Sequence, residues 1–399
     1  MISVEEALAK CLALATPLAS ETVPLTEAGG RVLAAPVTAT RDQPPFSASA
    51  MDGYALRDME AIPGRRLKVV GEAPAGHHWP GTIGPGECLR IFTGAPLPAG
   101  TDRVVIQEDV TREDDRITLG RDLGSGTHVR PSGADFVAGA MLHAPRRLSP
   151  ADVALAAAMN APELSVSRKP DVALIATGDE LVSPGENPAP DQIIASNTYG
   201  LKARIDAAGG HARLLPIARD RRESLEQVFD LAKDADVIVT IGGASVGDHD
   251  LVGDVAAGLG LERAFYKIAM RPGKPLMAGR LGGAALLGLP GNPVSAMVCA
   301  ELFLIPMLDA MMGLPSGARP RLKARLGVDL DPNGPREHYM RSELTPGSDL
   351  PTLTPYSSQD SSLLTILSGA SALLVRPVDD PRKQAGDQVE YVPLTHLFS

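Results

Sequence analysis

Residues 236–250 read DVIVTIGGASVGDHD. The apolar run DVIVTI reads as a strand. Gly242 and Gly243 follow, then Ser245 and a third glycine, Gly247. Glycines let backbone N–H groups approach an anion without interference from a Cβ, and Ser245 adds a hydroxyl donor. Yet Asp248 and Asp250 come next, and carboxylates repel phosphate. The spacing is neither G-x-G-x-x-G nor a Walker A motif, which disfavours ordinary dinucleotide and triphosphate folds. Taken alone, the loop reads equally as a tight strand-to-helix turn capped by Asp250.

The flanking sequence decides what kind of sheet this strand joins. DVALIAT, HARLLPI, FYKIAM, PLMAG and AALLGL read as further strands. TYGLKARIDAAGG and RRESLEQVFDLAKDA read as helices between them, and PVSAMVCAELFLIPMLDAMMG as a long apolar helix bent at Pro306. Such alternation over about 170–315 implies βαβ units and a mainly parallel sheet.

Open α/β sheets bind ligands at the carboxyl ends of their strands. Three loops are thereby selected: ATGDEL with Asp179 and Glu180, the glycine loop, and LPGNPVSA with Pro290, Gly291, Asn292 and Ser295. The last opens a helix, whose free N–H groups favour anions. Arg271 and Lys274 flank a Pro-Gly turn that can clamp an oxyanion. Asp220 ends another strand-to-helix junction. Each of these residues alone reads as well as a cap or a solvated turn. Converging on one sheet edge, the acids need a counter-charge, and Mg²⁺ binds carboxylate and phosphate oxygens together.

Outside this region the pattern changes. Ser3 and Glu6 form a capping-box pattern before an amphipathic helix, and LSPADVALAAAMN reads as a second helix with Ser149 as N-cap and Pro150 at its first position. Between them, from about 36 to 147, Gly- and Pro-dense sequence with short apolar runs reads as a β-domain. If the two helices pair, that domain is an insertion. Asp52 in SAMDGYA and Thr93 in RIFTGAP read as turn residues on composition alone. From about 316 short β-like runs return.

The chain has 399 residues and a net charge of −10, with 44% hydrophobic and 22% charged residues. That length predicts several domains. The acidic balance argues against nucleic-acid binding. Cys11, Cys88 and Cys299 show no CxxC pair and fit buried thiols in a reducing compartment. The eight histidines lack zinc-site spacing. No uninterrupted apolar stretch of about 18–20 residues reads as a membrane span, and the first residues do not read as a signal peptide. A cytoplasmic protein with no membrane partner is therefore expected.

SAMDGYA, RIFTGAPLP, ATGDEL, GGASVGDHD, RPGKP and LPGNPVSA occur in the order found in the molybdopterin molybdenumtransferase family, and the chain resembles that family, with its relative the gephyrin E domain, over essentially its whole length. The glycine loop alone also resembles molybdopterin adenylyltransferases and competence-damage-type proteins. SAMDGYA and the C-terminal β-region separate the transferase from them.

The resemblance implies a homodimer of multidomain α/β plus β subunits. Domain I is helical and extended (1–47 with 136–168), domain II is an inserted β-domain (48–135), domain III is the molybdopterin-binding α/β domain (169–315), and domain IV is a small β-barrel (316–399). It implies that adenylylated molybdopterin and molybdate give molybdenum cofactor and AMP with Mg²⁺, in a site between domains III and IV facing the partner's domain II. Molybdopterin adenylyltransferase and apo-molybdoenzymes are the implied partners. Glu180, Asp220 and Asp250 match the acidic metal cluster, which with Asp52 carries the chemistry. Thr93, Gly242, Gly243, Ser245, Gly247, Asp248, Arg271, Lys274, Pro290, Gly291, Asn292, Ser295, Arg341 and Ser361 match binding positions, the last two reaching the oxyanion; Asp135 matches a further acid. The chain departs from the family in three places. Arg271 replaces the common Lys, Phe46-Ser47-Ala48 replaces FDN, and Gln359-Asp360-Ser361 replaces a QGS-like motif. The adenylyltransferase step and a non-catalytic gephyrin-like scaffold are the competing functions.

Overall fold

The computed structural model describes residues 1–243 and 251–394. Its central sheet has six strands in the spatial order His211–Leu214, Asp171–Ala176, Val237–Ile241, Ala284–Leu289, Met277–Leu281 and Glu262–Tyr266. The first four are mutually parallel, and Met277–Leu281 runs antiparallel to both of its neighbours. Val237–Ile241 and Ala284–Leu289 are buried at every position, which is why both read as unbroken apolar runs.

Side chains alternate between two cores, as strand geometry requires. Val237, Val239, Ile241, Leu287 and Leu289 face one core with Leu201, Ile205, Val294 and Phe303. Ile238 and Leu286 face the other with Leu225, Phe229, Val252 and Val255. The helices Asn197–Ala207 and Pro293–Met311 therefore cover one face, and Arg222–Ala232 and Leu251–Gly258 the other.

The expected bend at Pro306 takes a specific form. Pro293–Cys299 and Ile305–Met311 are α-helical, joined by a π-helical turn over Ala300–Leu304. Proline lacks an N–H and crowds the carbonyl four residues back, and widening the preceding turn accommodates both defects. The run Pro293–Met311 has 19 residues and a mean hydropathy of 1.7, but it is 83% buried. It is a core helix.

FYKIAM is not one strand. Lys267 takes a φ of +70°, and the chain divides there. Glu262–Tyr266 stays in the central sheet, while Met270–Arg271 pairs in parallel with Glu337–His338 of the C-terminal sheet. In that sheet Leu322–Leu326, Glu337–Thr345, Thr352–Pro355, Ala372–Arg376 and Gln388–Pro393 close on themselves, because Glu337–Thr345 pairs with both Thr352–Pro355 and Ala372–Arg376. The result is a five-stranded barrel with the Arg271 strand attached to its rim.

The two capped helices do not pair. Val4–Leu14 buries Val4, Ala7, Leu8 and Cys11 in the central core, and the Arg280 guanidinium donates to Leu14 O at 2.8 Å. Pro150–Ala158 starts at the expected Ser149 N-cap, where Asp152 completes a capping box, and packs in a separate core with Val23, Leu33 and Phe136. Strands close the insertion instead. Ser20–Pro24 pairs with Glu163–Ser167, Val32–Leu33 with Arg146–Arg147, and Val37–Thr38 with Met141–Leu142. Inside that ladder the β-domain forms a six-stranded sheet from Gly53–Leu56 to Arg116–Leu119. All three cysteines are buried and unpaired.

Candidate active site

A cleft of about 820 Å³ opens at the carboxyl ends of the parallel strands. Glu180, Asp220, Gly242, Gly243, Pro290, Gly291 and Asn292 all line it. The two glycines are dictated by space as well as by their φ of +92° and +67°. A Cβ on Gly242 would meet Thr177 O at 2.9 Å, and one on Gly243 would meet Val252 Cγ2 at 2.2 Å. The helix starts at Asn197 and Pro293 lie on the same cleft, giving one wall the N–H groups and positive dipole ends that attract anions. Asn197 Nδ2 donates to Gly291 O at 2.7 Å and fixes these two starts together.

The opposite wall is acidic. Partial loss of solvent at the cleft wall, together with the neighbouring Asp179 and Glu180 carboxylates, raises the Asp220 carboxyl above the usual Asp range. Its backbone N–H donates to Asp179 Oδ1 at 3.2 Å. The loop that brings these acids together is held by Arg219, a residue that no motif marked. One guanidinium nitrogen donates to the carbonyls of Asp179 at 2.9 Å, Leu181 at 3.0 Å and Gly178 at 3.4 Å. Among the described residues no group of three or more potential metal ligands is assembled. The Asp220 and Glu180 carboxylates, beside an anion-binding wall, still fit Mg²⁺, which commonly takes one or two carboxylates and completes its shell with substrate phosphates and water. Ser245, Gly247, Asp248 and Asp250 lie outside the described residues.

The basic turn sits on the seam between the α/β domain and the barrel. Arg271 pairs with His338 in register, and Ile268 N–H donates to Lys274 O at 3.1 Å. Neither cation forms an ion pair among the described residues. Neither lines the cleft, although Pro275 does. Gly273 allows the turn to lie directly on Cys299, whose Sγ a Cβ would meet at 2.5 Å. Burial and the positive charges of Arg271, Arg376, Arg341 and Arg336 push the His338 imidazole down to about 4, so it is neutral at physiological pH.

Comparison with known proteins points to one family. Residues 2–160 match the MoeA N-terminal region (domain I and II), residues 173–310 the probable molybdopterin binding domain, and residues 323–394 the MoeA C-terminal region (domain IV). The molybdopterin molybdenumtransferase 2 of Mycobacterium tuberculosis is 38% identical, with 94% of this chain and 95% of that one aligned. The chain belongs to the molybdopterin molybdenumtransferase family. The molybdopterin molybdenumtransferase of a Nostoc strain is also 38% identical, over 82% of this chain and 77% of its own length. The molybdopterin biosynthesis moeA protein of Pyrococcus horikoshii OT3 superposes with a TM-score of 0.82 at 26% identity, covering 98% of this chain and 99% of that one.

Several of the molybdenumtransferase-motif residues have roles that only the structure separates. Ser361 joins the cleft through the barrel: Asn292 Nδ2 donates to its Oγ at 3.0 Å, and its carbonyl accepts from Val294 N–H at 3.1 Å. Arg341 does not reach an open oxyanion site here. It is 1% exposed, and its guanidinium donates to Asp360 O at 2.8 Å and to Gln359 Oε1 at 3.4 Å. Its charge holds the 359–361 loop in place. Ser295 is 4% exposed, in the first turn of its helix. Asp52 and Thr93 lie in the β-domain and line no part of the subunit's own cleft. Thr93 donates from its backbone N–H at 2.8 Å and its hydroxyl at 2.7 Å to Asp52 Oδ1, and with Arg90 nearby the carboxyl falls below the usual Asp range. Asp135 lies near the start of the returning segment, its N–H donating to Gln43 O at 2.9 Å.

Proposed function

We propose that the cleft binds adenylylated molybdopterin and molybdate, and that the protein releases AMP as molybdenum passes to the molybdopterin dithiolene. The observation that supports this most directly is the pairing of an anion-favouring wall at Asn197 and Asn292 with an acidic wall at Asp220 and Glu180 in one cleft. A pyrophosphate-type group with a divalent cation complements both walls at once.

In this reading the N–H groups at the helix starts and around Gly242 and Gly243 hold phosphate oxygens and orient the anhydride. Glu180 and Asp220 would hold Mg²⁺, with Asp250 as a further ligand. When bound, the ion neutralises the phosphates and polarises the phosphoanhydride. The carboxylates keep that charge against the departing AMP, so that positioning and charge stabilisation do most of the work. Arg271 and Lys274, with Ser245, hold molybdate at the barrel seam, and the Ser361 loop braced by Arg341 closes that side.

Asp52 and Thr93 line no part of the subunit's own cleft, and the proposed assembly is a homodimer in which they face the partner's site. A cytoplasmic setting fits three buried, unpaired thiols. Molybdopterin adenylyltransferase would supply the substrate, and apo-molybdoenzymes would take the product.

The test is incubation with adenylylated molybdopterin, molybdate and Mg²⁺. AMP release with activation of an apo-molybdoenzyme is the expected result. An inactive wild type, or full activity from Asp250→Ala, rejects the reading. ATP consumption with free molybdopterin assigns the adenylyltransferase step instead.

A further inference from the structure

Arg90 stands on Glu87–Ile91, the strand that leads to Thr93, and faces Tyr54 across the sheet in register. Gly53–Leu56 runs between that strand and Arg103–Ile106, and Gly53 pairs with Ile91 on one side and Ile106 on the other. The bend at Asp52 is therefore gripped from both flanks. Thr93 holds the carboxylate, and Gln107 N–H donates to Asp52 O at 3.1 Å. Arg90 joins the two flanks. One guanidinium nitrogen donates to Gly53 O at 3.2 Å and another to Gln107 Oε1 at 2.6 Å. The Gln107 amide turns its other end, Nε2, to Glu108 Oε1 at 3.3 Å. The guanidinium packs over both the Tyr54 and Phe92 rings, 5.1 and 4.8 Å from their centroids. A planar cation stacked on aromatic faces has few orientations left to it, so its hydrogen bonds keep a fixed direction.

We propose that Arg90 is the positioning residue for Asp52: it ties the strand ends at Thr93 and Gln107 to the Asp52–Gly53 bend, and so fixes where the carboxylate stands when it meets the substrate. The inference rests on the reading of Asp52 as a group that acts in the partner's cleft. Both of Thr93's hydrogen bonds end on the same oxygen, Oδ1. The direction of the other oxygen follows from the backbone of the bend, and that backbone is what Gln107 and Arg90 hold. The stakes are large, because a misplacement of about 1 Å can cost on the order of 10²-fold in rate. The charge adds a second effect. After the two Thr93 hydrogen bonds, the nearby Arg90 cation favours the ionised Asp52 carboxyl. Lysine would keep that charge but lacks the planar fork that reaches Gly53 O and Gln107 Oε1 together. The fork orients and the charge keeps the carboxyl ionised, and two substitutions separate these effects.

The full chain is assayed across pH for single-turnover AMP release from adenylylated molybdopterin with molybdate and Mg²⁺. Arg90→Lys keeps the charge and loses the fork, and Arg90→Met keeps the apolar stem and loses both. Each is expected to slow the saturated rate by about 10–100-fold, the scale of a misplaced reacting group, with little change in the substrate concentration that gives half of it. The acid limb of the pH–rate profile is expected to move upward in Arg90→Met and to stay in place in Arg90→Lys. In an Asp52→Asn background neither substitution should lower the rate further, because the group through which Arg90 acts is already gone. Wild-type rates in both variants, an unmoved acid limb in Arg90→Met, or the same fold-loss with and without Asp52 overturns the proposal, and Arg90 then only packs the sheet. Asp52→Asn at the wild-type rate is a different result. It removes Asp52 from the chemistry, and the parent reading of that residue falls together with this one.

Discussion

Asp52 and Asp220 are both aspartates at strand ends, and their surroundings treat them in opposite ways. Thr93 gives Asp52 two hydrogen bonds, which hold its carboxyl down and ionised. Asp220 is partly withdrawn from solvent and faces Asp179 and Glu180, and its carboxyl is pushed up. Hydrogen bonds to a carboxylate favour the charged form, and like charges disfavour it. Asp52 is therefore complete within its own domain. Asp220 is complete only when something positive enters the cleft. In the proposed reading the cation belongs to the α/β domain, and the β-domain presents a preformed anion.

Breaking the incomplete side should have the largest effect. Asp220→Asn keeps the shape and removes the charge, and AMP release should fall by roughly 10²–10³-fold, the usual loss when one preorganised charge-stabilising group is removed. Raised Mg²⁺ should not restore it. Single-turnover measurement of AMP checks this, and wild-type rates would remove Asp220 from the chemistry.

The next effect concerns how the acids are held. Arg219→Gln takes away the donor shared by three loop carbonyls, so the acidic loop loses its register with Asp220. A loss of about 10–100-fold is expected, typical of residues that orient metal ligands. It should show mainly as a higher Mg²⁺ requirement, and Mn²⁺ binding followed by electron paramagnetic resonance should weaken in parallel. Unchanged Mn²⁺ affinity would make Arg219 merely structural. The complete side should respond less. Thr93→Val removes one of the two donors to Asp52, which then titrates at a higher pH. About a tenfold loss of activity is expected, in keeping with one hydrogen bond to a charged group, and the acid limb of the pH–rate profile should move upward. A profile that stays in place would show that Asp52 need not be ionised.

The sequence made these two acids visible unequally. The central strands were legible because burial on both faces leaves a continuous apolar run, and Gly242 and Gly243 because no other residue fits beside Thr177 and Val252. The loops at the strand ends followed from the parallel order. The partner of an amphipathic helix did not follow. The apolar face of Val4–Leu14 requires burial but does not say against which core, and strand pairing closes the insertion in its place. FYKIAM was equally opaque, because its division rests on one backbone angle at Lys267. Arg341 shows a motif whose position is legible while its burial is not. Arg219 carries no pattern at all. Its role is a geometric relation to three carbonyls 38 to 41 residues away, and the only hint in the sequence is a cation set directly before an acid at a strand end.

The smallest predicted effect is the most direct reading of the contrast. A carboxyl whose folded pKa is raised binds protons more readily in the folded state than in the unfolded one. Its contribution to stability is therefore full below the unfolded value, near 3.8, and is lost as pH rises through the folded value. Asparagine carries no such penalty at any pH. Without Mg²⁺, Asp220→Asn should match the wild-type Tm at about pH 3.5 and exceed it slightly at pH 7, the gap opening across the raised titration range; the shift is small because Asp220 is open to solvent. Added Mg²⁺ should close the gap by stabilising only the wild type. The same substitution at Asp52 should act with the opposite sign, lowering Tm at pH 7, since its carboxylate is favoured by the fold. If both variants shift Tm in one direction, the two aspartates do not differ in the way their neighbours imply.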